Sequence, residues 1–468
     1  MDLARSRRVE CWDERRRAEG VAWPAGLELV GDDVEVPLVD GRAVRAVDLD
    51  RAATTPSLEA VRDAVVELLP YYGSAHRGAG YKSVVTTRAF EGAREAVRRF
   101  VGARPDDAVV FVRSTTEACN LLAHCVGEDA DVVVLELEHH ANLLPWRRLG
   151  ARPLPVPRSR DELISSIEAA VAARRSERLL VALTGVSNVT GELMPYEEVA
   201  AIAHRAGGRL FLDAAQLAPH RAVDAGASGV DYLALSGHKL YAPFGAGALV
   251  GRRDWLEAGA PMLEGGGAVS LVTSDLVVWK QAPERLESGT PNVLGAVALG
   301  AACDLLSATG MDVLATIEQA LADQLDRLLA GVPGLRRLSI FGEAGQHVGV
   351  ACFELQGLDH GLVAAALSAE HGVGVRSGCF CAHPLVRELL GVAPAEMEAA
   401  ARRMAGGAGV RLPGAVRASL GIGTSPEDLA RLAAALSELA ERGPRWTYRG
   451  PDGDGPFEPD PDPRPGAG

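Results

Sequence analysis

The sequence predicts an α/β protein, with a large domain on a mostly parallel central sheet and a smaller α+β domain C-terminal to it. Three observations carry this. Between about residues 105 and 251, short and nearly unbroken apolar runs alternate with stretches of helical spacing, the pattern of strands covered on both faces. From about residue 300 the texture changes to long helices followed by a few short strands. At 468 residues the chain also exceeds what one ordinary core organises, so two domains are expected.

Taken in order, residues 1–45 are charged and weakly patterned and read as an N-terminal arm packed on the body. The large domain is expected over 46–300, with 46–55 lying near the small one. Its strands are expected at Ala108–Val112, Val132–Leu137, Leu179–Thr184, Arg209–Leu212, Tyr232–Leu235 and Ala246–Val250, with helical spacing over Thr116–Val126 and Glu197–Ala206. The small domain is expected over 301–443. A long helix, Ala296–Thr309 then Val313–Leu329, leads into strands Leu335–Ile340 and Gly349–Leu355, and the helix Pro426–Arg442 closes it. Residues 444–468 are rich in Pro, Gly and Asp and are expected to be disordered. No internal repeat is present.

A net charge of −14 argues against sequence-independent nucleic-acid binding, which needs a basic surface. No apolar run reaches the roughly 18 residues a membrane span needs, and the N-terminus lacks the apolar stretch of a secretory signal. Seven cysteines, an odd number spread over a long chain, read as free thiols in a reducing, cytoplasmic setting. Of the 48 basic residues only Lys82, Lys239 and Lys280 are lysines. The skew fits a GC-rich coding bias, yet it leaves three candidates for any Schiff-base chemistry.

Several motifs sit at expected strand ends, where a parallel sheet binds ligands. Ser236-Gly237-His238-Lys239 places a lysine after an apolar run. Partly buried, it can form an imine with an aldehyde cofactor; otherwise it is a surface lysine. Asp213, three residues before Gln216, can hold a pyridinium nitrogen protonated or cap the next helix. His139, in Glu138-His139-His140-Ala141-Asn142, can stack on a planar cofactor or act as an acid or base. A metal site is not expected, for want of a third ligand nearby in sequence. Thr115 and Thr116 open a helix and suit a phosphate, or form an ordinary cap. Dinucleotide-binding and P-loop glycine fingerprints are missing.

These motifs, in this order and joined by Ser187-Asn188-Val189-Thr190-Gly191 and Glu287-Ser288-Gly289-Thr290-Pro291-Asn292, resemble the class V aminotransferase family. Its members are fold-type I enzymes that use pyridoxal 5′-phosphate. Within it the chain looks most like the group II cysteine desulfurases and selenocysteine lyases, over about residues 45–430. The resemblance implies that Lys239 forms the Schiff base, His139 stacks on the pyridine ring, Asp213 meets its nitrogen and Gln216 its phenolic oxygen. It assigns the phosphate to Thr115, Thr116, Ser236 and His238. Asn188 would lie near the substrate carboxylate and a cofactor oxygen. Thr290 would reach a phosphate in a partner subunit, implying a homodimer.

Arg376-Ser377-Gly378-Cys379-Phe380-Cys381-Ala382-His383-Pro384 resembles the desulfurase segment in which an arginine precedes the nucleophilic cysteine by five residues. Cys381 falls on that position, Arg417 on the arginine that clamps a substrate carboxylate, and Arg376 is expected to bind the substrate as well. A thiolate there needs access and a lowered pKa. Metal binding by Cys379, Cys381 and His383, or inert packing, are the other readings of this loop, which also resembles that of molybdenum-cofactor sulfurases. Three features depart from the group: the extra segment about 386–413 with its helical stretch Ala395–Met404, Arg51 after Asp50, and the long N-terminal arm. The expected reaction takes sulfur from L-cysteine onto Cys381 and leaves L-alanine, with a sulfur-acceptor protein or thiol downstream. The alternatives are a C–S lyase, an epimerase or an aminotransferase acting on a specialised amino acid, and a non-enzymatic member of the fold.

Overall fold

A computed structural model of the chain describes residues 23–342, 345–450 and 455–465. They pack as two compact units. The larger holds 54–187 and 193–314, and the smaller the described parts of 1–53, 188–192 and 315–468.

The larger unit is built on a six-stranded sheet. Its strands are β1 (Ala108–Val112), β2 (Asp131–Val133), β3 (Leu179–Thr184), β4 (Arg209–Asp213), β5 (Tyr232–Ser236) and β6 (Gly247–Gly251), in the spatial order β1-β6-β5-β4-β3-β2. Strands β2 to β5 pair in parallel, while β6 runs against both β5 and β1. Every side chain of β3, β5 and β6 is buried, as expected of strands with both faces covered. Strand β2 is shorter than expected because the chain leaves β3 after Val133. From there Val134 and Glu136 exchange backbone hydrogen bonds with Leu154 instead. Helix α1 (Thr115–Val126) follows β1 and packs on the same core as Trp146, Phe211 and Tyr232.

The smaller unit carries an antiparallel sheet of β7 (Leu335–Leu338), β8 (Val350–Leu355), β9 (Arg376–Gly378) and β10 (Ala415–Ser419), ordered β7-β8-β10-β9. Its core joins Phe353 and Leu355 to Leu429, Leu432 and Leu436 of the helix Pro426–Arg442. That helix starts where the sequence places it: Pro426 occupies its first turn and Ser425 and Asp428 form a capping box. Val47–Asp48 pairs in parallel with Val373–Gly374, which attaches residues 46–53 here.

The domain limits differ from those expected. The helix Val293–Thr309 stays with the larger unit, where Gly300 lies so close to the helix Tyr81–Phe100 that a Cβ would stand 2.6 Å from Ala93 Cα. The short stretch 188–192 belongs to the smaller unit. Val348 N–H donates to Gly191 O at 2.9 Å, and the Glu192 carboxylate accepts from the Ile340 and Phe341 amides at 2.7 Å. The tail expected to be disordered is partly ordered: Tyr448–Arg449 pairs with Glu458–Pro459. Glu370, 4% exposed, holds it by accepting from the Trp446 amide and the Tyr448 hydroxyl, and Phe457 lies under the Arg411 guanidinium. Of the arm, residues 1–22 lie outside the described residues, while Leu27, Leu29, Leu38 and Val39 are buried. Among the described residues no single helix is long and apolar enough to cross a membrane.

Candidate functional site

In the larger unit, the ends of β1, β4 and β5 and the chain beyond β2 bring most of the predicted cofactor residues to one sheet edge. The Ser236 hydroxyl, at the end of β5, accepts from Thr115 N–H at 2.8 Å and lies 2.9 Å from Thr115 Oγ1. This ties β5 to the start of α1. The approach depends on Gly247: a Cβ there would stand 3.1 Å from Ser114 Cα and 2.5 Å from Leu235 O. Ser114 is the N-cap of α1, yet its side chain makes no capping hydrogen bond. Apart from the Thr115 amide bound to Ser236, the first turn therefore keeps its amide donors and positive dipole end for an anion. Thr116, in that turn, is exposed.

Lys239 ends a single 3₁₀ turn, Gly237–Lys239, beyond β5. Thr55 fixes the turn, its N–H donating to His238 O at 2.8 Å and its hydroxyl accepting from Tyr241 N–H at 2.8 Å. His238 is pushed down to about 4 by burial and by the neighbouring Lys239 charge, so its ring is neutral at pH 7. Asp213, 4% exposed, is raised by burial, against which its bond from the Ala215 amide and the charge of Lys239 both act. Gln216 is buried in the turn that follows. His139 Nδ1 accepts from Ala141 N–H at 3.0 Å, which fixes the ring and leaves the proton on Nε2. Glu138, to which sequence reasoning gave no role, is fully buried and pushed up to about 8 by burial and by Asp213. Its carboxyl accepts from Thr184 N–H at 2.9 Å and from Asn142 Nδ2 at 2.7 Å.

This set fits pyridoxal 5′-phosphate. The uncapped start of α1 with Thr115 and Ser236 suits the phosphate, the buried Asp213 carboxylate suits a protonated ring nitrogen, and Lys239 is placed to bind the aldehyde. Of the other two lysines, Lys82 is exposed in the first turn of the helix Tyr81–Phe100, and Lys280 follows the hairpin strand Val277–Trp279. Thr290 is exposed just ahead of the helix Val293–Thr309. Its motif neighbours are structural: Glu287 pairs with Arg94 at 2.7 Å, and Asn292 caps that helix through Gly295 N–H.

The remaining candidates gather in the smaller unit. Arg417, on β10, is 2% exposed and donates through Nη1 to Asn188 O at 2.7 Å. Its Nη2 lies 3.2 Å from Asp50, and its buried Nε has no partner among the described residues. Asp50 also pairs with Arg376 at 3.3 Å. Sequence reasoning named Asp50 only as the residue before Arg51 and gave its carboxylate no role between the two predicted substrate arginines. An unpaired guanidinium edge of this kind suits a second carboxylate. Asn188 Nδ2 donates to Phe380 O at 2.7 Å, and Arg417 lies over the Phe380 ring at 5.0 Å. Cys381 is exposed, and Cys379 Sγ lies 3.0 Å from His383 Nε2. Arg51, the odd residue after Asp50, is buried and paired with Asp48 at 3.1 Å.

Comparison with known proteins follows the same lines. The class-V aminotransferase family profile matches residues 47–432. A cysteine desulfurase of Synechococcus elongatus is 37% identical over 361 residues, 75% of this chain and 56% of that one, so the chain spans little more than half of that relative. A cysteine desulfurase of Klebsiella pneumoniae is 34% identical over 84% of this chain and 92% of its own length. The crystal structure of the cysteine desulfurase CsdA of Escherichia coli, in its S-sulfonic acid form, superposes with a TM-score of 0.71 at 31% identity, covering 85% of this chain and 95% of that one.

Proposed function

Because the chain belongs to the class-V aminotransferase family, we propose that it is a pyridoxal 5′-phosphate enzyme that removes sulfur from L-cysteine. The observation that carries the reading is an exposed thiol, Cys381, five residues after Arg376 in a unit that also buries the half-satisfied Arg417. The cofactor, when bound, is an electron sink that weakens bonds at the α- and β-carbons of an amino acid. Lys239 binds it and carries protons on Nζ, and His139 can donate a hydrogen bond from Nε2–H to the cofactor or substrate. Asp213 supplies the buried negative charge. Arg417 and Asn188 hold the substrate carboxylate. Cys381 Sγ takes the substrate sulfur as a persulfide, and L-alanine departs.

A homodimer belongs to the same proposal. The exposed Thr290 and the hairpin Val269–Val272/Val277–Trp279, whose Leu271, Val272 and Val277 are exposed, are suited to a second copy. Leu271→Asp with Val277→Asp is expected to halve the mass seen by light scattering; an unchanged mass rejects this hairpin as the dimer contact.

The deciding assay incubates the protein with L-cysteine and reductant and measures alanine and sulfide. Both are expected to form, and Cys381→Ala is expected to abolish them. Undiminished turnover in that variant would instead place a direct lyase chemistry here. Borohydride reduction followed by peptide mapping is expected to find the cofactor fixed on Lys239; finding it on Lys82 or Lys280 rejects the assignment.

A further inference from the structure

The loop between β9 and α2 (His383–Leu390) holds more sulfur chemistry than one thiol. Phe380 and Cys381 both adopt left-handed backbone, at φ 52° and 55°, and Ala382 N–H donates to Cys379 O at 2.8 Å. Residues 379–382 thus form a tight turn with positive φ at both central positions. Two L-residues pay about 1–2 kcal/mol each for that conformation. The turn is held against this strain by Asn188 on the Phe380 carbonyl and Arg417 on the Phe380 ring. It carries Cys379 at its first position and Cys381 at its third. The other described cysteines, Cys119, Cys125, Cys303 and Cys352, are buried and their thiols are pushed up by burial, so they are poor nucleophiles.

We propose that Cys379, with His383 as its proton acceptor, is a second sulfur station that relieves Cys381 of its persulfide sulfur. The proposal rests on the reading that Cys381 takes the substrate sulfur. His383 Nε2, 3.0 Å from Cys379 Sγ, takes the thiol proton. Cys379 Sγ then attacks the outer sulfur on Cys381. A new S–S bond forms, the bond from Cys381 Sγ to that sulfur breaks, and the electron pair leaves on Cys381 as a thiolate. One persulfide becomes another, so no oxidant or reductant is consumed. Cys381 is free for a second turnover before any acceptor arrives.

The test counts the fast burst of alanine per cofactor-loaded chain with L-cysteine as the sole thiol and no acceptor protein, and weighs the rapidly quenched peptide that bears the loop. About two alanines and two added sulfur atoms are expected for the natural protein, about one of each for Cys379→Ser, and none for Cys381→Ser. His383→Asn is expected to leave the first alanine unchanged and slow the second, with a rate that rises with pH as the unassisted thiol ionises. A burst of one alanine in the natural protein, or an equal burst in Cys379→Ser, overturns the relay while leaving Cys381 as the sulfur acceptor. A full burst in Cys381→Ser instead overturns the desulfurase reading itself.

Discussion

At the scale of single residues, burial sets which groups near the cofactor cluster carry charge. Glu138 is fully enclosed, and its folded pKa near 8 stands well above the ordinary carboxylate value. A raised carboxyl stabilises the fold below its unfolded pKa and loses that contribution as pH climbs to the folded value. Stability of the cofactor-free protein is therefore expected to fall between about pH 4.5 and 8 by a few kcal/mol more than in Glu138→Gln. Gln is unable to accept from Asn142 at its amide nitrogen, so the variant starts lower at acid pH, and the slope is what denaturant titration should compare. In the other unit, Arg417→Lys keeps the charge but loses the planar fork. Its KM for cysteine is expected to rise about 10- to 100-fold, with a smaller change in kcat.

The difference between what was legible and what was not is also one of residue type. Lys239, Asp213 and Ser236 stand out in sequence because each ends an apolar run, and strand ends are where a parallel sheet meets its ligands. Glu138 also follows an expected strand but was given no role there, and Asp50 was named only as the residue before Arg51. Their roles come from what faces them, two arginines in one case and a backbone amide with an amide side chain in the other. The idle capping side chain of Ser114 was hidden as well, since the residue is an ordinary N-cap by type.

At the scale of elements, periodicity located the strands, and the misplacements have local causes. Strand β2 stops early because Leu154 competes for its backbone. The tail was read from composition alone, which is blind to the buried Glu370 that anchors Trp446 and Tyr448. The inserted segment carries the expected helix, α3 (Pro394–Ala405), and that helix has no buried residue. Replacing residues 392–408 with a short Gly-Ser loop is expected to change stability by less than about 1 kcal/mol in chemical unfolding. If the segment shapes substrate choice, activity on bulkier cysteine conjugates should shift while the melting curve holds still.

For the molecule as a whole, each unit has its own apolar core, and the predicted phosphate and ring contacts all lie in the larger one. Loading the cofactor is therefore expected to slow hydrogen exchange first around 114–117, 139–142, 213–216 and 236–240. At 100 times Kd it should add about 2.7 kcal/mol to the stability of the unit that binds it. Protection spread evenly over both units would contradict this. The sequence located the change of texture near residue 300 but not the limit itself, because Gly300 presses its helix against Ala93 in the larger unit.

The cluster around Asp50 also has a charge stoichiometry. Two guanidinium groups, Arg376 and Arg417, face one carboxylate, leaving an excess of a single positive charge. One entering monocarboxylate brings the sum to zero, whereas a dicarboxylic amino acid would overshoot it in a setting where Arg417 is almost wholly removed from water. Under the proposed function this cluster is expected to sort amino acids by the number of their negative charges, and Asp50→Asn should loosen that sorting toward dianions.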